Sequence, residues 1–301
     1  MTREAGKLNV LWATDGSEEA RNATSLLRQV VLPASSKLNV LTIAPHSFIS
    51  GARPEPSFLT RITPAARRKA LLEAEELAEE EATRLDPAGV SVEAISRWGN
   101  PIEEILKLAR AADLTVLGAK GHSNLRLILL GSVSQGVVQH ATRPVLIARP
   151  GGGDVRSIVI GYDGSPASRR GVQFLDRLAL PDAVHIYVAE VIEPFSVPSG
   201  TPVSYRRRAE EEAHEINEHR HRDAHRRLDL LAERLSIGRR HVDVEIVTGQ
   251  AAPELDAAAK RHGAGLIVVG SRKPDVARHY LVGSTAEKLV RHANTSVLVV
   301  R

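Results

Sequence analysis

The chain has 301 residues, enough for two domains of about 150 each, and either half is long enough to bury about 70% of its unfolded surface without a staple. It contains no cysteine, which excludes a disulfide scaffold, a thiolate zinc site, an iron–sulfur cluster and a cysteine nucleophile. Hydrophobic residues at 43%, charged residues at 25%, a net charge of +4 and no apolar run of about 18 residues describe a globular chain without a helical membrane span.

Short apolar runs alternate with stretches of helical periodicity. Strands are expected at Leu8–Ala13, Leu38–Ile43, Val92–Arg97, Leu114–Gly118 and Val145–Arg149, and helices at Glu18–Val31, Pro64–Arg84, Pro101–Ala111 and Ser132–His140. The helix at Pro101 has the clearest start. Asn100 can cap it, Pro101 suits its first turn, and Glu103 and Glu104 favour its positive end. After Arg149–Asp154, a flexible linker by composition, the series returns with strands at Ile158–Tyr162, Val184–Val191, Val242–Val247, Leu266–Gly270 and Val297–Arg301.

The chain is therefore two copies of one pattern. Asn9–Ala20 (NVLWATDGSEEA) matches Ser157–Ser168 (SIVIGYDGSPAS), Leu114–Gly118 matches Leu266–Gly270, and Pro144–Arg149 matches Ser296–Arg301. Domains are expected over 1–150 and 154–301. Alternating strand and helix calls for parallel pairing with right-handed crossovers, hence an α/β fold of two consecutive doubly wound, Rossmann-like sheets. Strands of nearly continuous Val, Ile and Leu fit burial on both faces.

Ligands bind such sheets beyond the carboxyl ends of the strands, where the strand order reverses. Asp15 follows the first strand, in Ala13-Thr14-Asp15-Gly16-Ser17. Gly118 and Gly121 follow the fourth, and Gly131-Ser132-Val133 then opens a helix. Closely approaching backbone, a hydroxyl and a helix N-terminus make an anion site suited to phosphate. The Asp15 carboxylate would repel phosphate and suits a ribose hydroxyl, an adenine amino group or a metal. The plainer reading makes Asp15-Gly16-Ser17 a helix cap and the glycines mere corners, but the spacing of all three glycines favours a binding loop.

Gly118-x2-Gly121-x9-Gly131-Ser132, with Asp15 after the first strand, resembles the ATP-binding signature of universal stress proteins, and the likeness covers both halves. The resemblance implies a sheet order of 3-2-1-4-5 in each half. It also implies ATP held by Ala13, Thr14, Asp15, Ile43, Gly118, Gly121, Gly131, Ser132 and Val133. In the second half Asp163, Val191, Gly270, Gly283, Ser284 and Thr285 stand at matching positions, but Lys273 replaces the second glycine. A lysine there either donates to a phosphate or fills the space where backbone should meet it. If Gly121 has positive φ, Lys273 would be strained in the same shape, so a weak or altered second site is expected. The resemblance further implies pairing through the last strands. Val145–Arg149 against Val297–Arg301 would make one chain a pseudo-dimer and cover two exposed edges, with further homodimerisation an open expectation.

Other chemistries fit less well. No Gly-x4-Gly-Lys-Ser/Thr loop occurs, and His214 and His219 stand one residue too far apart for a zinc-protease helix. His214, His221 and His225 share one flank of a long amphipathic helix with an apolar stripe of Ala209, Ala213, Ile216, Ala224, Leu228, Leu231 and Leu235. A metal role there competes poorly with a solvated charged flank. Aromatics at 3%, and basic residues laced with Glu210, Glu211, Glu212, Glu215 and Glu218, argue against nucleic acid. The polar Met1–Asn9 does not read as a secretory signal, so a cytoplasmic location is expected. The expected function is ATP-binding, stress-response regulation, with ATP and magnesium as cofactors. Binding would switch the loop Ala119–Leu130 and a surface for a partner protein that the sequence does not identify. The alternatives are a slow magnesium-dependent ATPase using Lys120 or His122, and a nucleotide-independent interaction module.

Overall fold

The computed structural model describes residues 7–29, 32–33, 35–45, 63–85, 89–119, 130–150, 155–178, 180, 183–236, 241–271 and 283–301. The first half runs β1 (Asn9–Ala13), α1 (Glu18–Gln29), β2 (Lys37–Pro45), α2 (Pro64–Leu85), β3 (Ser91–Gly99), α3 (Pro101–Ala109), β4 (Leu114–Gly118), α4 (Ser132–His140) and β5 (Val145–Ala148). The second runs β6 (Ser157–Gly161), α5 (Pro166–Leu175), β7 (His185–Ile192), α6 (Val203–Leu235), β8 (His241–Thr248), α7 (Ala251–Arg261), β9 (Leu266–Gly270), α8 (Ser284–His292) and β10 (Ser296–Val300).

Local chemistry sets the helix starts. Asn100 caps α3 by accepting the Ile102 amide at 3.0 Å, with Pro101 in the first turn, as the sequence suggests. Ser165 does the same for α5, accepting the Ser168 amide at 3.2 Å. In α6 the stripe from Ala213 to Leu235 is buried, but Ile216 is 39% exposed. At about 100° per residue Ile216 lies roughly 85° off the stripe's centre, which corrects its assignment to the apolar face. Asn217 falls on the stripe instead and bonds both backbone groups of Phe195, at 2.8 and 3.0 Å.

All ten strands join one sheet, in the order β3-β2-β1-β4-β5-β10-β9-β6-β7-β8. Each half keeps the implied 3-2-1-4-5 order, parallel throughout. The halves meet antiparallel at β5 and β10, with Leu146 opposite Leu298 and Ile147 opposite Val297, so the expected pairing of last strands is present. Side chains alternate across the sheet. Along β1, Val10 and Trp12 enter the core under α1, α2, α5 and α6, while Leu11 and Ala13 enter the core under α3, α4, α7 and α8.

Two buried arginines lock the junction. Arg149, just after β5, donates to the Val290 carbonyl in the last turn of α8 at 2.5 Å. Arg301, just after β10, donates to the Val138 carbonyl in the last turn of α4. Each guanidinium thus crosses into the other half and meets the negative end of a helix. Burial lowers both pKa values, with Asp256 partly offsetting the effect on Arg149, and Arg301 falls to about 10. Nearer the surface, Arg177 of the second half bonds Asp113 of the first at 2.9 Å.

Candidate functional site

In the first half β1 and β4 are neighbours at the order reversal, with Ala13 opposite Leu117. The Thr14 amide continues the ladder to the Leu41 carbonyl at 3.0 Å, and the chain then turns at Gly16, whose φ is +73°. That left-handed conformation favours glycine, and Leu77 of α2 lies directly over it, 2.8 Å from where a Cβ would stand. Asp15 Oδ1 accepts the Ser17 amide at 3.1 Å and the Ser17 hydroxyl at 2.6 Å. The capping role weighed from sequence is therefore present, and it engages one carboxylate oxygen.

Two bonds fasten the start of α4 to the end of β4. Ser134 Oγ donates to the Gly118 carbonyl at 2.7 Å, and the Gly131 amide donates to the Ala119 carbonyl at 2.8 Å. Gly131 is the N-cap and offers no side chain, so the first-turn amides at Ser132 and Val133 have no side-chain acceptor from it. Ile43 sits in β2 opposite Arg97, at the margin of the second core. Gly121, Lys120 and His122 lie outside the described residues.

The second half contains a cleft of about 870 Å³. Its lining brings together Asp163, Val191, Gly270, Gly283, Ser284 and Thr285, all expected from the repeat, while Lys273 lies outside the described residues. Burial would raise the Asp163 pKa, but hydrogen bonds from the Ser165 hydroxyl and amide and the Ser168 hydroxyl outweigh it. The carboxyl is held below its usual range. Gly164 repeats the turn at φ +73°, covered this time by Arg227, which pairs with the buried Glu190 of β7. Gly270 closes the floor, because a Cβ there would overlap the Ala167 carbonyl and stand 2.6 Å from the Ser168 nitrogen.

Three residues in or behind this cleft escape a motif reading. Ser168 supports Asp163, and Arg170 lines the wall beside it. Ser271, fully buried after β9, accepts the Gly283 amide and an Arg301 donor on its hydroxyl, both at 3.4 Å. The only sequence signal was helical spacing, since Ala167, Arg170 and Gly171 share the sheet-facing side of α5. On α6, His221 lies 3.5 Å from the Thr248 hydroxyl, and no group of three or more metal-ligating side chains occurs among the described residues.

The match to known proteins follows this geometry. The model of the universal stress protein family matches residues 8–149 and again 154–301. Universal stress protein G of Shigella flexneri is 31% identical over 134 residues, covering 44% of this chain and 89% of that protein. A universal stress protein of Mycobacterium tuberculosis is 32% identical over 151 residues, 48% of this chain and 47% of its own length. The crystal structure of a universal stress protein from Archaeoglobus fulgidus shares the fold along both chains, with a TM-score of 0.68 at 22% identity, covering 97% of this chain and 98% of that one. With its family model matched once in each half and a five-stranded 3-2-1-4-5 unit in both, the chain belongs to the universal stress protein family.

Proposed function

We propose that the first half binds ATP with magnesium and that the protein acts as a nucleotide-responsive regulator of the stress response. One observation carries this reading: two features of opposite electrostatic character meet at the carboxyl ends of β1 and β4. The Asp15 turn supplies a carboxylate, and the start of α4, fastened to Gly118 and Ala119, supplies first-turn amides and the positive end of a helix. These residues fit the group. Ser132 and the α4 amides suit the phosphates, and Asp15 suits a ribose hydroxyl or the adenine amino group; Gly121 joins them in the family signature. Ala13, Thr14, Ile43, Gly118 and Val133 supply the neighbouring backbone and apolar surface. Magnesium would neutralise phosphate charge. The segment Ala119–Leu130 joins β4 to α4, so a bound nucleotide would bear on it directly and change the surface offered to a partner protein.

Calorimetric titration of the full chain with ATP and magnesium tests the reading. The expected result is a binding site lost in Asp15→Ala and Gly121→Val and kept in Lys273→Ala. No heat, with no nucleotide carried through purification, would overturn it in favour of a nucleotide-independent module. Single-turnover phosphate release that depends on Lys120 or His122 would instead make the protein a slow hydrolase.

A further inference from the structure

We infer that the first turns of α6 form a self-docking surface, through which two copies of this chain pair antiparallel about a two-fold axis. The inference does not depend on nucleotide binding in either half.

The helix is longer than the core it covers. α6 has 33 residues against 22 in α2, its counterpart in the first half, which adds about 16 Å at 1.5 Å per residue. Its buried residues begin at Ala213, and none from 203 to 212 is buried. In place of the sheet, the segment 193–202 runs antiparallel along this part of the helix. Arg220 donates to the Glu193 carbonyl at 3.2 Å, Asn217 bonds both backbone groups of Phe195, and Arg206 donates to the Thr201 carbonyl at 3.3 Å. The arm so formed keeps apolar surface in water. Of the six large apolar side chains exposed among the described residues, Phe195, Val203, Tyr205 and Ile216 lie on it. Exposed apolar residues scattered singly need no explanation, but four on one arm mark a place of contact.

Shape and charge both select a second copy as the occupant. Tyr205, Ala209 and Ile216 lie within about 40° of one another around the helix, on a face separate from the buried stripe. With a two-fold axis midway between Ala209 and Glu212, Tyr205 of each copy packs on Ile216 of the other. The small side chain of Ala209 lets the helices approach closely at the crossing. The charges fit this orientation. Arg206, Arg207 and Arg208 precede Ala209, and Glu210, Glu211 and Glu212 follow it. Antiparallel pairing sets Arg208 of each copy level with Glu212 of the other, whereas parallel pairing in register would set like charge on like. Within one chain Arg208 bonds Glu212 at 3.1 Å with side chains 84% and 62% exposed, a solvated pair that contributes little and is readily shared across the axis. So short a strip falls below the roughly 800 Å² per partner of a standard interface, so the dimer should be weak, with a Kd of about 10–100 µM.

Sedimentation equilibrium of the full chain from about 5 to 500 µM tests this. A monomer–dimer equilibrium that weakens with added salt is expected. Arg208→Glu and Glu212→Arg should each weaken self-association about tenfold, because each sets like charges across the axis. Mixing the two variants in equal amounts should restore the parental affinity, since the reversed charges then face each other. That recovery cannot arise within a chain, because both variants lack the Arg208–Glu212 pair. Tyr205→Ser should also weaken the dimer about tenfold. All three positions are exposed, so the variants should melt with the parent; if a charge variant melts early, Tyr205→Ser carries the test. A monomer at every concentration would overturn the inference, as would a dimer that none of these variants weakens, or charge variants that stay dissociated when mixed.

Discussion

Replacing Gly270 with alanine should damage the second half more than the loss of one glycine suggests. The added Cβ would overlap the Ala167 carbonyl and stand 2.6 Å from the Ser168 nitrogen, and ordinary contact begins near 3.4 Å. Both atoms are backbone, so no side chain can rotate out of the way. The first turn of α5 must retreat from β9 by roughly 1 Å, carrying Ser168 away from Asp163. Overpacking of this kind costs typically 1–3 kcal/mol, and an obstacle made of backbone puts Gly270→Ala at about 3 kcal/mol. At roughly 2–4 °C per kcal/mol, the melting temperature should fall by about 6–12 °C. Gly200 is the control: a Cβ there meets nothing within 4 Å, so Gly200→Ala should melt within about 2 °C of the parent. Scanning calorimetry on the three proteins decides the matter. Equal melting temperatures for Gly270→Ala and Gly200→Ala would refute the claim that α5 and β9 touch through backbone.

Two further predictions concern charge. Burial would raise the Asp113 pKa, but the Asn9 amide and Arg177 hold it below the usual carboxylate range. Its stabilising effect is therefore present above its unfolded pKa of about 3.9 and is lost as pH falls through the folded value. With side chains 30% and 42% exposed, the Asp113–Arg177 pair should contribute about 0.5–1 kcal/mol. Urea midpoints of the parent and Asp113→Asn should differ at pH 7, and the gap should narrow as the pH falls below about 3.9; a gap that widens in acid would contradict this. Arg227→Leu, which installs the residue found over Gly16, should cost about 2 kcal/mol, because it strands Glu190 on a side chain only 6% exposed. Adding Glu190→Thr, the residue at Thr42, should restore most of that loss, and strictly additive losses in the double variant would show the pair to be uncoupled.

The repeat and the strand spans were legible because each depends on local pattern, apolar runs of strand length, helix caps and matched segments 148 to 152 residues apart, whereas the strand order followed from the family resemblance alone. The helix cap at Asp15-Gly16-Ser17, weighed from sequence as the plainer reading, is present as well, and the structure adds the positive φ of Gly16. What could not be read depends on distance in sequence. Arg149 and Arg301 end matching apolar segments and look like surface termini, yet each is 6% exposed and reaches a carbonyl 141 or 163 residues away. Arg170 has the same character. It follows Arg169 in the sequence, and only the helical turn decides which of the two faces the cleft. Ile216 shows the converse error, since an apolar residue at a nearly correct spacing still points off the buried stripe.

Comparing the halves shows where the repeat is held and where it is free to vary. The junction is kept in register: Arg149 and Arg301 are 152 residues apart, and so are their acceptors Val138 and Val290. The turn after the first strand is kept as well, with φ +73° at both Gly16 and Gly164. The changes gather around the carboxyl ends of the strands. Asn22 becomes Arg170, Ala20 becomes Ser168, Ala119 becomes Ser271 and Thr42 becomes Glu190, while Arg227 takes the place of Leu77. Every one of these exchanges puts a charged or hydroxyl-bearing side chain where the first half has a small, apolar or neutral one. A pocket merely decaying from a shared ancestor pattern would gain unpaired polar groups. Here Ser168 and Ser271 are hydrogen-bonded, Glu190 is paired with Arg227, and Arg170 donates to the Ser271 carbonyl at 3.1 Å. The polar groups gained in the second half thus come with partners gained beside them, on a scaffold the two halves hold in common.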